Sequence, residues 1–136
     1  MSATNDATAP IDVTCGLIER AGRLLVAQRP PGKALAGQWE FPGGKVEPGE
    51  APVACLVREL REELGVEVRV GAALPASVHH YGARAIRLLP FRCELVAGEP
   101  HAHEHSALRW CTIEEVAGMD LAAADIPVLE SYRRGA

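Results

Sequence analysis

Residues 51–64, APVACLVRELREEL, change the period of the chain. At about 100° per residue, Val53, Leu56, Val57, Leu60 and Leu64 fall in one stripe, which predicts an amphipathic helix with one buried face. Pro52 suits the first turn, where its missing N–H costs no bond, and Gly65 suits a left-handed cap. Glu59, Glu62 and Glu63 occupy the neighbouring sector, because side chains three and four residues apart are neighbours. Two carboxylates about 5 Å apart repel by roughly 3 kcal/mol at an effective dielectric near 20. Such a helix needs an apolar surface to lie on and either a cation or open water beside its acids.

The surface is supplied by strands. IDVTCGLIER (11–20) and RLLVAQR (23–29) flank Ala21-Gly22 and read as strand–turn–strand. Proline and glycine make 29–38 a loop, and WEFPGGKVEPGE (39–50) reads as a second, glycine-rich loop. After the helix, 66–74, 77–81, 85–98 and 107–113 are strand-like, 113–118 is a short helix, and 124–135 is a terminal helix with Asp125 as N-cap, Pro127 in its first turn and Gly135 at its end. The order predicts an α/β chain with a mixed β-sheet covered by helices: a flexible tail over 1–10 and a single domain over 11–136.

Composition narrows the partners. No apolar run approaches the roughly 18 residues of a membrane span, and the first ten residues lack the basic start and apolar core of a secretory signal. A formal charge of −4 argues against a nucleic-acid polymer. Cys15, Cys55, Cys93 and Cys111 are scattered without a CxxC pair, as expected of reduced core thiols in a cytoplasmic protein.

Carboxylates on a helix face opposite a glycine-rich loop suit a hard divalent cation, which takes one or two carboxylates and shares the rest of its shell with water and phosphate. Gly43-Gly44 would let backbone approach such a ligand closely, and Arg58 could orient one glutamate through a forked hydrogen bond. Charge alone leaves a plain solvated helix with Glu/Arg pairs equally open.

The spacing distinguishes them. Residues 44–66, GKVEPGEAPVACLVRELREELGV, carry Gly, five residues, Glu, seven residues, then Arg-Glu-Leu-x-Glu-Glu-x-Gly-Val, nine specified positions in 23 residues. The stretch resembles the signature of the Nudix hydrolases, and WEFPGGK and LLVAQR before it are similar to the MutT-like branch. HAHEHSALRWC and DLAAADIPVLE further on resemble the members of that branch that cleave CTP and oxidised pyrimidine nucleotides. The resemblance implies a Nudix α/β/α sandwich and Mg2+, with Mn2+ as a substitute. It also implies hydrolysis of a nucleoside triphosphate to monophosphate and pyrophosphate, clearing the pool of 8-oxo-dGTP or of CTP-type nucleotides.

It also implies roles. Glu59, Glu62 and Glu63 would carry metal, and one of them would help to deprotonate water; the sequence does not choose which. Glu50 would orient or assist that water, and Glu104 would add a carboxylate from outside the signature, as metal ligand or base. A carbonyl of Gly43 or Gly44 would complete the inner shell. Arg29 and Arg84 would lie near substrate, with Trp39, Glu40, Phe41 and Pro42 in the same wall, Trp39 and Phe41 either stacking on the base or packing inward. Asp125 sits where the branch reads the base, and as an ionised acceptor it would take the cytosine amino group or the N1–H and amino group of a guanine.

The remaining residues leave alternatives. HAHEH (101–105) admits a zinc site if it is a strand, but after GEP it reads as a solvated loop. His79, His80 and Tyr81 either line the nucleoside pocket or are satisfied strand residues, and Trp110 reads as core. Another nucleoside diphosphate derivative as substrate, or a non-catalytic nucleotide sensor, stand as alternatives to the triphosphate. Monomer and homodimer are both compatible with the sequence.

Overall fold

Strand alternation sorts the apolar residues onto two faces of one sheet. In the computed structural model, which describes residues 9–135, β1 (Ile11–Arg20) and β2 (Arg23–Gln28) form the predicted hairpin. Its turn holds Ala21 at φ 51° and Gly22 at φ 77°, the two positive values a type I′ turn requires. Then follow β3 (Trp39–Glu40), β4 (Gly43–Lys45), α1 (Pro52–Leu64), β5 (Glu67–Ala73), β6 (Ser77–Tyr81), β7 (Arg84–Ala97), β8 (Ala107–Cys111), α2 (Ile113–Ala117), a 3-10 turn (Ala123–Asp125) and α3 (Ile126–Arg133). The tail expected over 1–10 falls outside the described residues except for exposed Ala9 and Pro10.

The eight strands make one mixed sheet in the order β3-β2-β1-β7-β5, with β4 on β1, β6 on β7 and β8 on β2. β1 and β7 run parallel over Ile11–Glu19 and Ile86–Glu94; the other named pairs are antiparallel. Along β2, Leu24 and Val26 join one apolar cluster and Leu25 the other, as a period of two demands. Leu56, Leu60 and Leu64 of α1 close the cluster that holds Ile18, Leu25 and Cys93. Val116, Val128 and Leu129 of α2 and α3 close the one that holds Cys15, Leu17 and Phe41. Helices cover both faces, so the predicted α/β/α sandwich is present, and β1 is the wall the two cores share.

Four local expectations need correction. The segment 39–50 contains β3 and β4 as well as loop, because Gly43 and Gly44 pair with Cys15 and Thr14 of β1. Val53 is 45% exposed and Cys55 is buried, beside Thr14 and the Gly44 and Lys45 carbonyls. A helical wheel gives direction, not depth, and the apolar contacts of α1 begin only at Leu56. The strand expected to 113 stops at Cys111, because Thr112 turns out to cap α2 in a capping box with Glu115. Asp125 does not cap α3; it is buried in the 3-10 turn and makes no cap bond. All four cysteines are free and buried, and Trp110 is half-buried against the α1 cluster. Among the described residues no helix is long and apolar enough to cross a membrane.

Leu60→Ala is expected to cost about 2–5 kcal/mol and Val53→Ala no more than about 0.5 kcal/mol, read as shifts in the urea midpoint. Equal losses would mean that α1 seats on a different face.

Candidate active site

A cleft of about 1090 Å³ runs from the acidic side of α1, past β1 and β4, to the 3-10 turn. Its first end is built by Glu59, Glu63 and Glu104, and its far end by Phe41, Tyr81 and Asp125, with Arg29, Glu40 and His105 between.

At the acidic end α1 separates the three glutamates that the wheel puts together. The side chain of Glu59 is 16% exposed and that of Glu62 55%; Glu59 and Glu63 line the cleft and Glu62 stands outside it. Burial is the main cause that raises the Glu59 carboxyl. Burial, then the charges of Glu59, Glu104 and Glu40, pushes Glu63 up to about 9. Glu63 Oε1 is buried with no hydrogen-bond partner. An orphaned carboxylate oxygen between acids that repel one another is what a hard divalent cation would relieve, so the donors fit such an ion. Among the described residues no group of three or more His, Cys, Asp or Glu side chains forms a ready cage, so water and substrate oxygens would supply much of the shell.

Arg58 holds the other acids. Its Nε and Nη2 clasp the two oxygens of Glu50 at 2.7 and 3.0 Å, and its Nη1 reaches Glu59 at 3.0 Å and Glu62 at 3.2 Å. The clasp, helped by the backbone N–H of Glu47, holds Glu50 down to about 2. Glu50 itself does not line the cleft. The glycines make room for the protein's own parts. A Cβ on Gly43 would collide with the β1 backbone at Thr14, and one on Gly44 with the carboxyl of Glu59. The Gly44 carbonyl already accepts from Thr14 Oγ1 at 3.1 Å and faces Cys55 Sγ at 3.6 Å.

At the far end Asp125 is 6% exposed, and its Oδ2 accepts the Phe41 N–H at 2.7 Å. Burial pushes its carboxyl up to about 8 against that one bond, with the charge of Glu40 adding to the rise. Burial thus works against the ionised acceptor expected from sequence and favours the protonated acid. Arg29 lines the cleft and pairs with Glu40 at 3.1 Å, its Nε donating to the Ala34 carbonyl at 2.6 Å. Phe41 is buried in the core yet lines the cleft, whereas Trp39 packs beside that core under Arg109 and does not. Pro42 is buried, its carbonyl taking the Gly16 N–H at 2.8 Å. Arg84 is exposed beside the β6–β7 turn, paired with Tyr81 of the cleft wall but not itself in the lining. Tyr81 lines the cleft; His79 packs on its edge, and neither His79 nor His80 reaches the lining.

Besides Lys33, His105 is a cleft residue that the sequence reading did not place there. Its side chain is 7% exposed, with Nε2 3.0 Å from Glu40 Oε2. A loop set 65 residues away from Glu40 gives no local sign of that contact; the only signal was HAHEH itself.

A family model described as NUDIX domain matches residues 9–132. The chain is 48% identical over 122 residues to the CTP pyrophosphohydrolase of Escherichia coli, covering 90% of each chain, and 28% identical to the 8-oxo-dGTP diphosphatase of that organism, covering 91% of this chain and 97% of the other. The solution structure of the E. coli ORF135 protein superposes with a TM-score of 0.83 at 44% identity, over 95% of this chain and 92% of that one.

Asp125 makes a pH prediction. Below about pH 4 its carboxyl is protonated folded or unfolded; between about 4 and about 8 the folded state keeps a proton that the unfolded chain releases. Its contribution is therefore fully present below pH 4 and is lost as pH rises, by at most about 1.4 kcal/mol per pH unit. Urea unfolding from pH 5 to 8 should show wild type losing stability relative to Asp125→Asn as pH rises. Parallel curves would show that Asp125 ionises as it does in water.

Proposed function

This chain belongs to the Nudix hydrolase family, and from that premise we propose that it cleaves nucleoside triphosphates to monophosphate and pyrophosphate, with Mg2+ or Mn2+ held at Glu59, Glu63 and Glu104. The observation that carries the reading is the inward pair Glu59 and Glu63, buried, short of positive charge and with one oxygen unpartnered, in a cleft that ends on a buried carboxyl. When bound, the divalent ion would supply positive charge to the phosphate oxygens and a more acidic water.

The chain's own residues divide the remaining work. Burial and the neighbouring acids favour the protonated form of Glu63, a proton it would have to give up in order to hold a cation. Glu50, held at about 2 by the Arg58 clasp, is too weak a base to take a proton from water at neutral pH. Its part is to fix Arg58, which in turn orients Glu59; Glu62 joins that clasp from the rim. The base then comes from Glu59, Glu63 or Glu104. Gly43 is the carbonyl we assign to the inner shell, since that of Gly44 has an internal donor. Arg29 and Lys33 line the cleft with positive charge for the phosphate chain.

Asp125 reads the base. A neutral carboxyl offers one donor and one acceptor, which fits the N3 acceptor and N4 amino of cytosine and equally the O6 and N1–H of a guanine. The anion accepts only, and fits the two adjacent donors N1–H and N2–H of a guanine. Relatives named CTP pyrophosphohydrolase and putative 8-oxo-dGTP diphosphatase match at 48% and 44% identity, which supports a cytidine-type and an 8-oxoguanine triphosphate alike as the substrate to test. The reading places the protein in the cytoplasm, clearing the nucleotide pool.

Pyrophosphate release with Mg2+ from CTP, oxidised dCTP and 8-oxo-dGTP tests the proposal. Glu63→Gln is expected to lower kcat by about 10²-fold or more. Asp125→Asn, neutral at every pH, should abolish the pH dependence of the CTP to 8-oxo-dGTP ratio of kcat/KM while leaving Mn2+ affinity within about twofold. No release from any triphosphate would overturn the substrate class, and full release by Glu63→Gln would overturn the cation site.

A further inference from the structure

The last turn of an α-helix leaves carbonyls without partners. In α1 the Gly65 N–H takes the Arg61 carbonyl at 3.0 Å, and Glu62, Glu63 and Leu64 remain. All three are met by the HAHEH segment: His103 Nδ1 lies 3.2 Å from the Glu62 carbonyl, His103 N–H donates to Glu63 at 3.2 Å, and His101 N–H donates to Leu64 at 3.0 Å. A carbonyl oxygen only accepts, so His103 Nδ1 carries the hydrogen. The His101 and His103 rings stack, centroids 6.3 Å apart and 8° from parallel. A Cβ on Gly65 would stand 3.3 Å from the His103 ring, so this position is confined by that ring as well as by its φ of 71°. On the other side of Glu104, His105 reaches Glu40 across the cleft.

We propose that His103 and His105 are positioning residues: they clip the loop to the end of α1 and to the Glu40–Arg29 pair, and so set Glu104 opposite Glu63. Of the acids lining the cleft, Glu47 and Glu104 stand on neither helix nor strand, and Glu104 is the one assigned to the cation; without fasteners a loop carboxylate spends little time in any one ligating geometry. Each histidine supplies one fastener. His103 acts on the helix that carries Glu59 and Glu63, and His105 on the strand residue that also holds Arg29. The inference rests on the proposed role of Glu104 at the cation.

The test measures Mn2+ binding to the nucleotide-free protein by electron paramagnetic resonance, with amide hydrogen exchange at 101–105 as a second readout. His103→Ala and His105→Ala should each weaken Mn2+ binding by about tenfold, the low end of the range for partners that orient a metal ligand. His103→Asn, which keeps a donor near Nδ1, and His105→Gln, which keeps one near Nε2, should recover most of it. In a Glu104→Gln background neither alanine variant should cost anything further, because both act through Glu104. His103→Ala should also speed exchange of the 101 and 103 amides. Exposed His80→Ala serves as the control. If Glu104→Gln alone leaves Mn2+ binding unchanged, the role of Glu104 falls and the positioning role falls with it. If Glu104→Gln weakens binding but the alanine variants do not, or if their losses persist in full in the Glu104→Gln background, the positioning role alone is overturned.

Discussion

The cleft is organised by a shortage of positive charge. Arg58 is one guanidinium shared by Glu50, Glu59 and Glu62, and its fork goes mainly to Glu50. Glu59 receives a single arm, and Glu63 receives none of it. Where burial removes water as well, a carboxylate left in that position is pushed toward its protonated form, as Glu63 is. The folded chain thus holds its acids in an arrangement that added positive charge would relieve. That imbalance follows from where the helix lies. Leu56, Leu60 and Leu64 fix its rotation on the sheet, and the same rotation turns Glu59 and Glu63 inward and Glu62 out.

β1 converts that rotation into a site. It lies between β7, with which it runs parallel, and the short β4, whose two glycines allow it to approach β1 and the Glu59 side chain together. A side chain at either glycine would push β4 from β1 or displace Glu59. Thr14 is buried at the crossing and donates to the Gly44 carbonyl, locking β4 to the strand while Cys55 of α1 packs on the same spot. The glycines read from sequence as room for a ligand are, in the first place, room for the protein's own backbone and carboxylate.

The elements with strong periodicity were legible in advance: the hairpin, the helix over 52–64, and the later strands follow from alternation and from the 3.6-residue period. What escaped was decided by contacts between distant segments. β3 and β4 are two and three residues long and exist only because β1 and β2 offer edges to pair with. Asp125 has the residue type and position of an N-cap, and only burial beside Phe41 shows that its carboxyl is used elsewhere. Glu62 differs from Glu63 by one step on a wheel, and the wheel does not say how far the sheet reaches. The spacing of the nine signature residues named the acids without saying which would face the cleft.

Glu40 ties the two ends of the cleft together. It pairs with Arg29, meets His105, and its charge raises both Glu63 at one end and Asp125 at the other. On the proposed reading, a cation at Glu63 and a base at Asp125 are then not independent. Positive charge entering at the acidic end offsets the field of Glu40 and lowers the cost of ionising Asp125, though across a cleft open to water the effect is weakened by screening. The direction is set by the layout: filling the cation end makes the base-reading carboxyl a better acceptor.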